Sequence, residues 1–169
     1  MSGWCKAVVL LPCNALITLP ALVLWLTGWR LTRNDPALLA VGGALLVAGL
    51  ALAAWTMWLF DRVGKGTAAP WQPPRQLVIR GPYRHVRNPM IVSVLLMALA
   101  EALLLNAWSL AAYAAVFWAV NTVYFPLVEE KKLLQRFGDD YARYRRHVPR
   151  WLPRLTPWAP PPGDEIAKS

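Results

Sequence analysis

Charged side chains are scarce in this sequence, and acidic ones are the scarcest. Only 16% of the 169 residues are charged, and nine Asp and Glu stand against eighteen Lys and Arg. With 57% hydrophobic residues, the chain is too apolar for an ordinary soluble domain of this size. The composition therefore predicts an integral membrane protein, and the length predicts a single domain.

Cysteine is also rare, because Cys5 and Cys13 are the only two and both lie in or beside the first apolar segment. Two cysteines exclude a disulfide framework and favour buried free thiols. The first segment has no small-residue cleavage site. It is therefore predicted to be an uncleaved membrane span rather than a signal peptide.

Positive charge is in excess, and a formal net charge of +9 would indicate nucleic-acid binding in a soluble protein. Here six of the positive residues lie in residues 62–87 and nine in residues 131–168, on either side of apolar segments. This distribution is typical of membrane topology, and the positive-inside rule assigns both blocks to the cytoplasmic side. Lipid headgroups are the predicted partners, and no nucleic acid is expected.

Apolar runs predict about four transmembrane helices, at residues 8–29, 37–60, 89–105 and 107–128. The hydrocarbon core is ~30 Å thick, so the forty-residue run from 89 to 128 suits a hairpin with its turn at Asn106. The predicted fold is an all-α polytopic bundle with its N-terminus on the cytoplasmic side. In the second span, Gly42, Gly43 and Gly49 offer a small-residue face for close helix packing.

The segment after the fourth span has the pattern of an amphipathic helix. Leu134, Phe137, Tyr141, Tyr144 and Val148 recur at spacings of three and four, so residues 129–148 are predicted to lie along the cytoplasmic membrane surface. Gly138 is expected to break this helix and Pro149 to stop it. The membrane domain then covers residues 1–158, and the proline-rich polar tail 159–169 is predicted to be disordered.

Two polar clusters should meet at the cytoplasmic boundary. RGPYRHVRNP (residues 80–89) enters the third span, and Glu129 and Glu130 leave the fourth; the predicted hairpin returns both to a similar depth. A pair of carboxylates at a helix C-terminus is electrostatically unfavourable. Pairing with the loop arginines or with Lys131 and Lys132 would relieve this, and so would a cationic ligand. The residues alone leave these interpretations open.

The order of the motifs resembles a known family. GPYRHVRNPM, an apolar hairpin, EE and FGDDYARYRRHVPRWLP follow one another over residues 75–153. This arrangement is similar to the isoprenylcysteine carboxyl methyltransferase and phospholipid methyltransferase superfamily of integral membrane enzymes. The resemblance implies S-adenosylmethionine as the cofactor and a lipophilic or lipid-linked methyl acceptor.

The resemblance also implies roles for individual residues. The cofactor-binding residues would be Tyr83, His85, Arg87, Asn88, Pro89, Glu129 and Glu130, with Tyr141 and Tyr144 from the tail that closes the pocket. The expected catalytic residues are Arg87 and Arg150, which would steer an anionic acceptor. Methyl transfer from a sulfonium requires alignment and the exclusion of water, and no metal is expected.

Three functions stay open at this point. Carboxyl O-methylation of the isoprenylcysteine type is the first, and N-methylation of a phospholipid amine is the second. The third is a non-catalytic membrane scaffold that retains the fold, which Ile91 and Asn121 favour because the family often has tyrosine and histidine there. The richness in Ala, Arg, Trp and Pro favours a GC-rich bacterium, and therefore a multi-pass protein of the inner membrane with its site facing the cytoplasm.

Overall fold

The computed structural model of the protein describes residues 13–30, 32, 34–64 and 76–160, and within these ranges the chain is helical with no strand. The helices are α1 (Asn14–Leu26), α2 (Pro36–Leu59), α3 (Pro89–Leu104), α4 (Trp108–Tyr124) and α5 (Glu130–His147). Helix α1 begins with the π-helical turn Asn14–Thr18. Further π-helical turns are Phe60–Gly64 and Phe125–Glu129, and a 3₁₀ turn covers Gly81–Arg84. The predicted all-α class is confirmed.

Two helices of the described chain are long and apolar enough to cross a membrane, Pro36–Gly64 and Trp108–His147. Helices α1 and α3 are shorter apolar helices. The count of four spans therefore stays a prediction. Residues 8–12 of the first predicted span, Cys5, and residues 161–169 of the predicted disordered tail lie outside the described residues.

The hairpin between α3 and α4 turns at Asn106, as predicted. Asn106 adopts a φ of 48°, a left-handed conformation that asparagine tolerates better than most residues. The amide nitrogen of Asn34 donates to the carbonyls of Leu103 and Leu104 at 2.7 and 2.9 Å. Both carbonyls lie in the last turn of α3, and that of Leu103 also accepts from the backbone N–H of Asn106 at 3.2 Å. The link preceding α2 therefore stabilises the turn.

Helix α4 does not end at residue 128 but continues through a π-helical turn into α5, and the end of the fourth span at residue 128 stays a prediction. Pro126 has no N–H to donate to the carbonyl of Thr122, and its ring would clash in a regular α-helix. The wider π-helical turn accommodates the proline without ending the helix. The break comes later, at Gly138 (φ 51°, ψ −128°), where it was predicted. An orientation of α5 along the membrane surface stays a prediction.

The apolar face of α5 packs mainly as predicted. Tyr141, Tyr144 and Val148 are buried and Phe137 packs against them. Leu134 is 38% exposed, so its assignment to this face is wrong, and Leu133 packs there instead. The non-helical backbone at Gly138 shifts the helical phase, and spacings counted across it do not define a single face.

Close packing of α2 on α3 depends on two glycines. A Cβ added at Gly42 would lie 2.9 Å from Leu104 Cγ, and one at Gly49 would lie 2.7 Å from Met97 Cγ and 3.0 Å from the carbonyl oxygen of Ser93. Nothing lies within 4 Å of a Cβ at Gly43. The predicted small-residue face is therefore confirmed for Gly42 and Gly49 and is wrong for Gly43.

Alanine at Gly49 should destabilise the protein, whereas alanine at Gly43 should not. The Gly49 methyl group meets a backbone carbonyl that cannot move independently, and overpacking of this kind costs roughly 1–3 kcal/mol. At Gly43 the helix propensity of alanine adds up to about 1 kcal/mol of stability. Chemical unfolding of both variants in the same detergent checks this, and a loss of equal size in both would contradict it.

Candidate functional site

The site is built around a buried carboxylate at the start of α5. Glu130 is 4% exposed, and one of its oxygens accepts from Arg87 Nη1 at 2.9 Å and from Arg150 Nε at 2.8 Å. Its other oxygen lies 3.7 Å from Arg145 Nη1. Arg87 precedes α3 and Glu130 follows α4. The predicted meeting of the arginine–proline corner with the acidic pair at the open end of the hairpin is thus confirmed for Glu130.

Positive charge exceeds negative charge in this cluster. The side chain of Arg87 is only 10% exposed, and it shares a single carboxylate oxygen with Arg150. Two guanidinium groups that share one carboxylate have a net positive charge and N–H donors that the carboxylate does not use. Charge-assisted hydrogen bonds to a further carboxylate or phosphate would therefore be favourable here.

Glu129 has a different environment from Glu130. Its carboxylate is partly exposed and accepts a hydrogen bond from the hydroxyl of Tyr124 at 3.2 Å. Successive helical residues point about 100° apart, so one glutamate faces the arginines while its neighbour faces outwards. Of the two glutamates, Glu130 therefore pairs with a loop arginine, whereas Glu129 bonds to Tyr124 among the described residues.

The segment that leads to Arg87 is fixed by a glycine and two tyrosines. Gly81 has a φ of 53°, and a Cβ there would lie 2.9 Å from the ring of Trp55. Tyr83 is buried edge-on against Phe60, with ring centroids 5.5 Å apart. The hydroxyl of Tyr144 donates to the carbonyl of Tyr83 at 2.7 Å. Helix α5 thus stabilises the 3₁₀ turn through the bond from Tyr144 to Tyr83.

The buried tyrosines stay neutral under ordinary conditions. Burial raises the pKa of Tyr83 far above its usual value. Burial also raises the pKa of Tyr144, with smaller contributions from Tyr83 and Tyr141. The pKa of Tyr141 is raised first by burial and then by Glu130, while Arg87 opposes the shift. All three are therefore hydroxyl groups rather than phenolates at neutral pH.

The chain beyond α5 is joined to residues 84–87 by hydrogen bonds. The backbone N–H of Arg87 donates to Pro149, and the backbone N–H of Arg154 donates to the carbonyl of His85, at 2.9 and 3.0 Å. Arg84 and Trp158 exchange two bonds, Nε to carbonyl at 2.8 Å and backbone N–H to carbonyl at 2.9 Å. These bonds join two irregular segments, which we call the clamp.

His85 is part of this clamp. Its Nδ1 lies 2.8 Å from the carbonyl oxygen of Arg154. A carbonyl can only accept, so Nδ1 carries the proton in this contact. One ring nitrogen of His85 is therefore committed to holding the C-terminal segment in place.

Three buried N–H donors beside the cluster have no hydrogen-bond partner among the described residues: Arg87 Nε, Asn88 Nδ2 and Trp151 Nε1. A buried donor left unpaired costs about 1–3 kcal/mol, and native proteins contain few of them. Asn88 occupies the N-cap position of α3, yet its side chain makes no capping bond. The three donors together fit a ligand that offers several hydrogen-bond acceptors.

Comparison with known proteins identifies the family of the chain. The sequence model of the family described as "Phospholipid methyltransferase" matches residues 37–140, which is more than half of the chain. The chain belongs to the phospholipid methyltransferase family. The matched range runs from α2 into α5 and includes Arg87 and Glu130, so the methyltransferase class expected from the motifs is confirmed for the family.

This phospholipid methyltransferase family member is also similar to one curated protein. It is 36% identical over 80 residues to "Protein-S-isoprenylcysteine O-methyltransferase" of Schizosaccharomyces pombe. The matched region is 47% of this chain and 34% of the relative, so the chain spans about a third of that protein's length.

The expected site residues fall into three environments. Arg87, Glu130 and Arg150 meet in the cluster, and Asn88 and Pro89 begin α3 beside it. Tyr83, His85, Tyr141 and Tyr144 hold the surrounding backbone or lie in the core below it. Glu129 stands apart with Tyr124. The structure thus brings most of these residues together, and their roles in binding stay predictions.

Sequence reasoning missed Trp151 and the clamp. The indole nitrogen of Trp151 is buried without a hydrogen-bond partner among the described residues, and its ring lies 6.0 Å from that of Phe125 between centroids. Its position next to Arg150 was the available signal. Arg154 and Trp158 lie in a stretch without helical or strand periodicity, so no pattern indicated their backbone partners.

Replacing Asn88 by alanine should not cost the stability that an N-cap substitution usually costs. The matched control is Asp35, the N-cap of α2, whose carboxylate accepts from the backbone N–H of Ala37 at 2.7 Å. We expect Asp35→Ala to lose about 0.5–2 kcal/mol, as for other capping side chains. Asn88→Ala should be neutral or stabilising, because it removes an unpaired buried donor. Unfolding of both variants in detergent checks this, and equal losses would contradict it.

Proposed function

We propose that this protein is an S-adenosylmethionine-dependent integral membrane methyltransferase that acts on a lipophilic or lipid-linked acceptor at the cytoplasmic face. The observation that carries the proposal is the group of three unpaired buried donors beside a cluster in which guanidinium groups outnumber carboxylates. Family membership independently supports methyl transfer as the reaction.

The residues present fit the cofactor. S-adenosylmethionine has a carboxylate, ribose hydroxyls and adenine nitrogens as acceptors, and all three unpaired groups are donors. The surplus charge of Arg87 and Arg150 suits a carboxylate, and the partly exposed carboxylate of Glu129 suits an ammonium group or hydroxyls. When bound, the cofactor supplies a methyl group on a sulfonium for in-line displacement.

The protein's contribution is positioning and the exclusion of water. Glu130 holds Arg87 and Arg150 from a buried position, so both guanidinium groups are oriented before a ligand arrives. The clamp fixes residues 84–87 in the same way. In this proposal Arg150, which is more exposed than Arg87, steers an anionic acceptor.

Two acceptor classes follow from the comparisons. The name of the yeast relative favours O-methylation of a lipid-linked carboxylate, which the positive cluster would attract. The description of the matched family favours the amine of a phospholipid as the second candidate. We adopt carboxyl methylation as the leading proposal because the described cluster has more positive than negative groups.

The topology belongs to the same proposal. We infer four spans in one membrane domain over residues 1–158, in the inner membrane of a bacterium. The hairpin returns Arg87 and Glu130 to one level, which supports a common side for the two positively charged blocks. The positive-inside rule makes that side cytoplasmic.

Cofactor binding tests the proposal directly. Titration calorimetry of the detergent-purified protein with S-adenosylmethionine should show binding. Trp151→Phe and Asn88→Ala should weaken it by roughly two- to tenfold, the value of one hydrogen bond. Neither variant should lose stability, because each removes a donor that has no partner among the described residues. Lower affinity without lower stability is the signature of a binding residue.

Trp108→Phe is the matched control, since Trp108 lies exposed at the far end of α4. It should bind the cofactor like the unaltered protein. Absence of heat in every variant, including the unaltered protein, would favour the scaffold. Methyl-labelled cofactor with membrane lipids separates the acceptors, because carboxyl esters are base-labile and N-methyl groups are not.

A further inference from the structure

A short apolar turn next to the site is exposed but held in place. Leu152 is 80% exposed and Leu155 is 98% exposed. The chain on either side is fixed, because Pro149 accepts from the backbone N–H of Arg87 and Arg154 donates to the carbonyl of His85. The clamp thus projects two leucines away from the described protein without giving them a partner in it.

The helix geometry gives the level of this turn. Trp151 contacts the ring of Phe125, the residue that follows α4, at 6.0 Å between centroids. Helix α4 begins at Trp108, and at 1.5 Å per residue Phe125 lies about 26 Å further along the axis. This distance is close to the ~30 Å thickness of the hydrocarbon core, so a bilayer with Trp108 at one boundary would have Trp151 near the other.

The surroundings of the turn match a lipid surface. On one side it adjoins the end of α4 and the π-helical turn that follows, where Val120, Val123 and Leu127 are exposed apolar residues. On the other side lies α5, whose exposed basic residues are Lys131, Lys132, Arg136, Arg145 and Arg146. Apolar side chains at the acyl boundary with basic residues at the headgroups are the arrangement of interfacial membrane-binding segments.

We propose that the turn containing Leu152 and Leu155 inserts into the boundary between headgroups and acyl chains of the leaflet that faces the site. The occupant of this surface is the bilayer itself, and anionic headgroups meet the basic residues of α5. The insertion sets the level of the adjoining Arg87–Glu130–Arg150 cluster at the headgroups. It does not depend on the proposed methyl transfer, since it rests on exposure, anchoring and charge alone.

Site-directed spin labelling tests the insertion. Single cysteines replace Leu152 and Leu155 in a background with Cys5→Ser and Cys13→Ser, and the labelled protein is placed in vesicles of phosphatidylethanolamine and phosphatidylglycerol. Collisions with oxygen, which concentrates in the bilayer, are compared with collisions with a water-soluble nickel chelate. Val120 is the control within the span and Asp139 is the control in water, because both are exposed and Asp139 is not one of the basic residues assigned to the headgroups.

Labels at positions 152 and 155 should collide with oxygen in preference to nickel, as the label at 120 does. A label at 155 that behaves like the one at 139 would overturn the proposal. If the turn instead contacts a second copy of the chain, the labels would show dipolar broadening at first. Their protection from nickel would then disappear when the protein is diluted into excess lipid. Unfolding midpoints of the labelled variants, expected to equal that of the background protein, confirm that each label reports on the native fold.

Discussion

Replacing Glu130 by glutamine should lower the free energy of unfolding by about 3–5 kcal/mol, the usual result of breaking a buried ion pair. Glu130 is the shared acceptor of Arg87 and Arg150, and Arg87 is nearly as buried as the carboxylate. Glutamine keeps the size of the side chain but removes its charge. The guanidinium groups are then left without compensation in a site that water reaches poorly. Reversible chemical unfolding in detergent measures this loss.

Glu129→Gln is the matched control, since it neutralises the adjacent residue. Glu129 is partly exposed and, among the described residues, its side chain bonds only to the exposed Tyr124, so its substitution should change stability by less than about 0.5 kcal/mol. Adding Arg150→Met to Glu130→Gln should recover part of the loss, because one unpaired charge is removed. Equal effects of the two glutamine substitutions would show that the cluster contributes nothing to stability.

Replacing Trp158 by alanine should cost about 3–5 kcal/mol, as for other buried tryptophans. Trp158 is 9% exposed, stacks on His147 with ring centroids 5.4 Å apart, and packs against Tyr144 at 5.9 Å. Alanine keeps the backbone bonds to Arg84 but leaves a cavity above α5. The clamp then loses its main apolar contact, and unfolding in detergent should begin at lower denaturant.

The control for Trp158 is Leu155→Ala, three residues away in the same irregular segment. Leu155 makes almost no contact with the described protein, so in detergent its loss should be within about 0.5 kcal/mol. Protease accessibility of the segment gives a second readout. The Trp158 variant should be cut faster than the control, and equal rates together with equal stability would contradict a structural role for the clamp.

Much of the framework could be predicted from the sequence. A forty-residue apolar run cannot cross a bilayer once, so the hairpin and its turn at Asn106 followed from length. The meeting of Arg87 with Glu130 then followed from closing that hairpin. These predictions succeeded because they depend on distances along the chain, which the sequence fixes through the helical rise.

The different environments of Glu129 and Glu130 could not be predicted from the sequence. It depends on how far the π-helical turn at Pro126 rotates the helix before residue 130, and composition does not determine that rotation. The same turn carries the helix past residue 128, where the fourth span was predicted to end. Proline usually ends a helix, and only the surrounding structure shows that here a wider turn absorbs it.

The clamp was beyond sequence reasoning for a different reason. Bonds such as those between Arg84 and Trp158 join backbone groups of irregular segments, so any residue types could make them. Asn88 shows the opposite case. Its position just before Pro89 indicates the N-cap of α3. The sequence does not indicate that the side-chain amide stays unpaired, because that depends on the conformation of the side chain.

The pairing of Arg84 with Trp158 links residues separated by more than seventy positions, and this has a consequence for biosynthesis. While the ribosome is still translating the residues between them, the arginine–proline corner reaches the bilayer without the C-terminal segment of the clamp. The clamp can form completely only after Trp158 has left the exit tunnel. A nascent chain arrested before that codon should therefore be inserted into the membrane yet lack the bonds between Arg84 and Trp158.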